Sequence, residues 1–248
     1  MNLRFFTDPF AIRSRPPEPA HPSGFKSFLT APRVCGTIHY MKTRAVIVNI
    51  AGCEKLLECP ERFCSVGRLF SAARIADEKK RLQSYAAELA LSYAMSGDKL
   101  LPPEYRYAEN GGPVSDQGFI SLSHTMGFAA AVVSDMPCGI DIELKREVSP
   151  AALHRLLAPA ELSLPEGELL PRFVTKEAFL KMTGAGVFGG ADRVYETGGR
   201  VFLRGVLAGF ASSFDSAEYF CRLVTARRAL VSPVILKSPD LPAFSEVL

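Results

Sequence analysis

Apolar and polar positions along this chain change period several times, and each change marks an element. The run from Ala45 to Ile50 is almost wholly apolar and predicts a first strand. From Ser71 to Met95, residues Leu82, Tyr85, Ala86, Leu89 and Tyr93 recur at helical spacing, which predicts the longest helix, with Gly97 as its stop. The polar, Gly-rich stretch AENGGPVSDQG leads into FISLSH, FAAAVVS and CGIDIE. These three short apolar runs, divided by turn residues, read as adjacent strands. Ser149-Pro150 suits the start of a short helix to about Leu157, and APAELSLPEGELLP then reads as loop. The segment RFVTKEAFLKMTGAG, Arg172 to Gly186, is helical in period. VYETGGRVFL predicts a hairpin about Gly198-Gly199, and YFCRLVT and ALVSPVIL predict two late strands.

Strands and helices alternate irregularly in two successive sets, which predicts an α+β (mixed α/β) fold in two subdomains, 41–136 and 137–248. Residues 1–40 hold Pro9, Pro16, Pro17, Pro19, Pro22 and Pro32 without sustained periodicity, the composition of a disordered tail. The folded part is expected to begin near Met41, itself a candidate translation start.

Composition removes several function classes. The formal net charge is +3, and residues 1–40 contribute five basic residues against Asp8 and Glu18, so the rest of the chain is balanced. A nucleic-acid partner is therefore not expected. Cys35, Cys53, Cys59, Cys64, Cys138 and Cys221 form no Cys-x-x-Cys pair backed by histidines, which argues against zinc. No signal peptide or membrane-length apolar run is evident, and scattered thiols suit the cytoplasm, so no membrane partner is expected either.

Two places carry unusual charge. In CGIDIE the strand alternation puts Ile140 and Ile142 on one face and Asp141 with Glu143 on the other. Two adjacent carboxylates repel unless a cation lies between them, and an oxygen-only set favours Mg²⁺. An ordinary acidic strand surface accounts for the same pair. In RFVTKEAFLKMTGAG, Glu177 and Lys181 fall inside the apolar stripe, between Phe173 and Leu180 on one side and Val174 and Ala178 on the other. A surface salt bridge is a poor account of them, because burying ions costs several kcal/mol each unless something compensates, of order 3 kcal/mol or more. Lys176 lies at the stripe's edge, where a solvated lysine is an equal reading. His124, at a strand end beside Ser123, the glycines of ENGGP, and the basic turn Lys79, Lys80, Arg81 each have an ordinary structural explanation.

Taken in order, SLSHTMGFAAAVVSDMPCGIDIE and FVTKEAFLKMTGAG resemble the surfactin-type 4′-phosphopantetheinyl transferases. The signatures are a Ser-His strand end, a Gly-Ile-Asp-Ile-Glu strand and a Lys-Glu-Ala-x-x-Lys helix closed by Gly-x-Gly. The likeness runs from about Met41 to the C-terminus and is strongest from Phe119 to Gly186. It implies two similar, pseudo-twofold-related α/β subdomains with coenzyme A between them. It also implies transfer of the phosphopantetheine arm to a serine of an apo acyl or peptidyl carrier protein, with release of 3′,5′-ADP by a monomeric enzyme. Asp141, Glu143 and Glu177 would hold Mg²⁺. Glu177 would also serve as base for the carrier serine, Lys181 would assist the departing phosphate, and Lys176 would act nearby. Ser123 and His124 would contact the coenzyme's phosphates, with Lys79, Lys80 and Arg81 helping. The family often carries Gly-Lys-Pro where this chain has Gly111-Gly112-Pro113; Gly112 and Pro113 take that place in the coenzyme-binding set, and Lys79 and Lys80 could supply the missing charge.

Two other classes share these residues. One is a Mg²⁺-dependent phosphohydrolase acting on coenzyme A-like pyrophosphates with water as nucleophile. The other is a binding module that holds coenzyme A or a carrier without turnover.

Overall fold

Several strands are apolar on both faces, so each must be covered twice, and that requirement sets the layering. The computed structural model describes residues 43–51, 58–109, 111–146, 153, 156–161, 163–186 and 190–237. All of them belong to one compact unit, Tyr40–Leu248. The described elements are β1 (Arg44–Asn49), α1 (Val66–Ala72), α2 (Glu78–Ser96), β2 (Arg106–Tyr107), β3 (Pro113–Val114), β4 (Phe119–Thr125), β5 (Phe128–Ser134), β6 (Cys138–Leu144), α3 (Glu166–Thr183), β7 (Val194–Thr197), β8 (Arg200–Leu203), β9 (Val206–Ser213), β10 (Tyr219–Thr225) and β11 (Val234–Leu236). The fold is mixed α+β.

One sheet has the order β11-β1-β5-β4 and the other β6-β10-β9-β8-β7. Among the described strands all pairings are antiparallel except β1 with β11. The alternation of side chains divides the core into layers. Val46, Val48, Ala129, Ala131 and Val133 pack under α2 with Ala86, Leu89 and Ala90. Their neighbours Ala45, Ile47, Ala130 and Val132 face the other way, onto Ile140, Ile142, Cys221 and Leu223 of the second sheet. Val201 and Val224 then turn to Ala178, Phe179 and Leu180 of α3. The order is helix, sheet, sheet, helix.

β4 and β6 are the edges that meet at one side of this sandwich. The inward positions of β4 are hydroxylic where a core strand would be apolar. Ser121 Oγ accepts from Ile140 N at 3.1 Å, and Thr125 Oγ1 accepts weakly from Leu144 N at 3.4 Å. Side chains thus take over the satisfaction of β6 backbone donors at the seam.

Several elements differ from the sequence reading. The single helix over 71–95 is two: Ser65 caps α1 by accepting from Arg68 N, and Asp77 caps α2 by accepting from Lys80 N. α3 starts at Glu166, within the expected loop, and carries Pro171 in its interior. β9 was not foreseen. The hairpin of β7 and β8 turns at Gly198 and Gly199, whose φ of 57° and 72° suit a type I′ turn. The expected tail and most of the expected helix after Ser149 lie outside the described residues. Among the described residues no helix is long and apolar enough to cross a membrane.

Candidate active site

Gly139, Asp141 and Glu143 share the face of β6 that meets α3, while Ile140 and Ile142 are buried between the sheets. Gly139 lies so close to α3 that an added Cβ would overlap the Ala178 carbonyl oxygen and crowd Met182 N. This close approach sets Glu177 and Lys181 of α3 over Asp141 and Glu143. Lys181 Nζ donates to Asp141 Oδ1 at 2.7 Å, to the Ile140 carbonyl at 3.2 Å and to the Leu122 carbonyl at 3.3 Å. One ammonium therefore spans both sheet edges. Ser123 Oγ donates to the same Asp141 Oδ1 at 2.7 Å, and Thr125 Oγ1 donates to Glu143 Oε2 at 3.4 Å.

The carboxylates are left short of partners. Asp141 Oδ2 and Glu177 Oε1 are buried without a hydrogen-bond partner. Burial, then repulsion from Asp141, pushes Glu143 up to about 7. Burial and Asp141 again push Glu177 up to about 7, with Lys181 offsetting in part. An orphaned buried carboxylate oxygen is costly; Glu161 Oε1, beside Lys176, is a third one, and at Asp141 and Glu177 a cation or a substrate would satisfy it. Among the described residues, as the side chains lie, no three His, Cys, Asp or Glu converge closely enough to enclose an ion. Lys181 supplies the cation at Asp141. The all-oxygen donor set of Asp141, Glu143 and Glu177 fits Mg²⁺ chemistry, and the orphaned oxygens are the atoms that would receive it.

His124 lies on the opposite face of β4 from Ser123, with Ile120 and Leu122, towards the α2 side. It is exposed. Part of the ring reaches solvent, yet desolvation by the surrounding chain, then Arg68 and Lys181, hold its imidazole below the usual range against the pull of Asp141. Arg68 was not foreseen. Its Nε donates to Glu88 Oε1 at 3.3 Å and its Nη1 to Ser84 Oγ at 3.3 Å. Glu88 is fully buried and also accepts from Ser65 N and from Tyr105 Oη, which in turn meets Tyr107 Oη at 3.2 Å. The signal that could have found this network is the one that found Glu177: Glu88 sits among Tyr85, Leu89 and Leu91 on a buried helix.

Other expected residues are placed elsewhere. Lys176 is buried on another side of α3, where its ammonium meets Glu161 Oε2 at 2.7 Å, the Ala191 carbonyl at 2.8 Å and the Val194 carbonyl. It is not brought to the acids, and the catalytic part expected of it gives way to a structural one. Lys79 and Lys80 are exposed in the first turn of α2, and Arg81 Nη1 donates to the Ile75 carbonyl. None of these three is among the charges acting on His124. Gly112 accepts from Ala108 N, and Pro113 stands opposite Tyr107 in the β2–β3 pair, so this loop is tied to the Tyr105–Glu88 network. A cavity of about 300 Å³ beside α3 is lined by Arg172, Glu196 and Arg222 among others. Its ions are paired internally, Arg172 with Glu168 and Glu196, and Arg222 with Asp215.

A scan against protein-family models found no match, and a search of the curated proteins found none.

Proposed function

We propose that this chain is a Mg²⁺-dependent 4′-phosphopantetheinyl transferase, moving the arm of coenzyme A onto a serine of an apo carrier protein. The observation that carries the reading is the Lys181 ammonium bound to Asp141, with burial and then the charge of Asp141 raising the proton affinity of Glu143 and Glu177, and with Asp141 Oδ2 and Glu177 Oε1 buried without partners. The two sheets support it too: each carries one long helix on its outer face, as expected of two related α/β subdomains, with the difference from the expected 41–136 and 137–248 division that β11 returns to pair with β1.

In this reading the serine hydroxyl attacks the β-phosphorus of the coenzyme. Its proton passes to Glu177, the bond to the α-phosphate oxygen breaks, and 3′,5′-ADP leaves with that electron pair. Phosphoryl transfer asks a protein chiefly for positioning and charge neutralisation. A Mg²⁺ held by Asp141, Glu143 and Glu177 would neutralise pyrophosphate charge. Lys181 reaches the same place from α3 and carries positive charge to the departing phosphate. His124, within the electrostatic reach of Arg68, is the candidate contact for the 3′-phosphate.

Incubation with coenzyme A, Mg²⁺ and a panel of apo carrier proteins is expected to add one phosphopantetheine to a carrier's mass, and Asp141→Ala to abolish the gain. Absence of any gain across the panel, with Asp141→Ala indistinguishable from the parent in coenzyme binding, would sink the reading.

A further inference from the structure

We propose that Ser123 is a positioning residue for Asp141, not a contact of the coenzyme; this rests on the reading of Asp141 as a metal ligand. A serine hydroxyl has one proton to donate. At Ser123 that proton goes to Asp141 Oδ1 at 2.7 Å, a length typical of a charge-assisted bond. The geometry is fixed by the fold. Ser123 is a buried inward position of β4 flanked by Ser121, whose hydroxyl is tied to the β6 backbone, and by Thr125, which reaches Glu143.

The consequence lies in which oxygen is held. Ser123 and Lys181 both grip Oδ1, and Oδ2 is left buried without a partner. Holding one oxygen sets the rotation of the carboxylate and commits the other to the site. When Lys181 turns to a phosphate, Ser123 remains as the side chain holding Oδ1. His124, on the opposite face of β4, is then the member of the Ser-His pair left for the coenzyme.

The test is Mn²⁺ binding to the metal-depleted full-length chain, followed by the paramagnetic resonance signal of free Mn²⁺, beside 3′,5′-ADP binding in EDTA. Ser123→Ala is expected to weaken Mn²⁺ by about tenfold, as loss of a ligand-orienting hydrogen bond does, and to leave 3′,5′-ADP binding unchanged. Ser123→Thr, which restores the hydroxyl, should recover most of the Mn²⁺ affinity. In an Asp141→Asn background, Ser123→Ala should cost nothing further. Should Ser123→Ala fail to fold, Ser123→Cys keeps the volume and donates weakly, and it should show the same loss. Parental Mn²⁺ affinity in Ser123→Ala or Ser123→Cys, or a loss confined to 3′,5′-ADP, overturns the inference while leaving the transferase reading intact. Parental Mn²⁺ affinity in Asp141→Asn overturns the metal reading and the inference with it.

Discussion

Gly139 of β6 rests directly on the backbone of Ala178 in α3, with no room between them for even a methyl group. The glycine is thus what lets the two charged elements of the site close on each other. Gly139→Ala must push α3 off the strand. Overpacking of this kind costs about 1–3 kcal/mol, to be read as a lower urea midpoint. Mn²⁺ affinity should fall as well, because Glu177 moves away from Asp141 and Glu143. An unchanged midpoint would mean that the close approach is not needed.

Lys176 and Lys181 stand five residues apart on α3 and do different work. Lys176 is buried with its ammonium on Glu161 and two carbonyls, and burial lowers its basicity against the pull of Glu161. Removing one member of such a pair strands the other. Lys176→Met is therefore expected to cost about 3–5 kcal/mol, and Lys176→Met with Glu161→Gln to recover part of it. Whatever protein remains folded should bind Mn²⁺ like the parent. A Lys176→Met protein of parental stability that has lost transfer would restore the catalytic assignment.

How much was legible follows from the kind of signal. β4, β5 and β6 could be read because short apolar runs alternate with turn residues, and Asp141 and Glu143 because period two leaves no choice of face. The N-terminal half of α3 was hidden by Pro165 and Pro171, which locally favour a loop. The helix tolerates Pro171 at the loss of one backbone donor. β9 was hidden because VLAGFASS mixes small and apolar residues without clean alternation. Position in the stripe put Lys181 inside and Lys176 at the edge, whereas Lys176 is fully buried and Lys181 is exposed. The difference is made by Glu161, fifteen residues earlier, and by carbonyls of the segment after the helix. Arg68 was missed because only the tertiary fold brings α1 beside Glu88 and His124.

Glu177 exposes a conflict between stability and function. In the metal-free protein one of its oxygens is buried without a partner, and Asp141 and Glu143 repel it. Glu177→Gln removes the charge and keeps the shape. It should raise the stability of metal-free protein at neutral pH by about 1 kcal/mol, a rise in Tm of roughly 2–4 °C, while transfer to the carrier falls by about a hundredfold or more, the range for loss of a general base beginning there. Lower Tm in Glu177→Gln would show that the carboxylate is stabilising, contrary to its surroundings.

His124 gives a pH signature of definite sign. Desolvation comes first, the charges of Arg68 on α1 and Lys181 on α3 add to it, Asp141 of β6 opposes them, and the balance favours the neutral ring. Its folded-state pKa is therefore below the unfolded value of about 6.5. A group depressed in this way contributes stability that is present above about 6.5 and lost as pH falls through the folded value. Relative to His124→Gln, the parent should lose stability on acidification below pH 6.5. Side-chain NMR should place this imidazole's midpoint below the ordinary range, and Lys181→Met, which removes one of the two cations, should raise it. Addition of 3′,5′-ADP should raise it as well, because a phosphate beside the ring favours the imidazolium. A midpoint that 3′,5′-ADP does not move would exclude His124 as the 3′-phosphate contact.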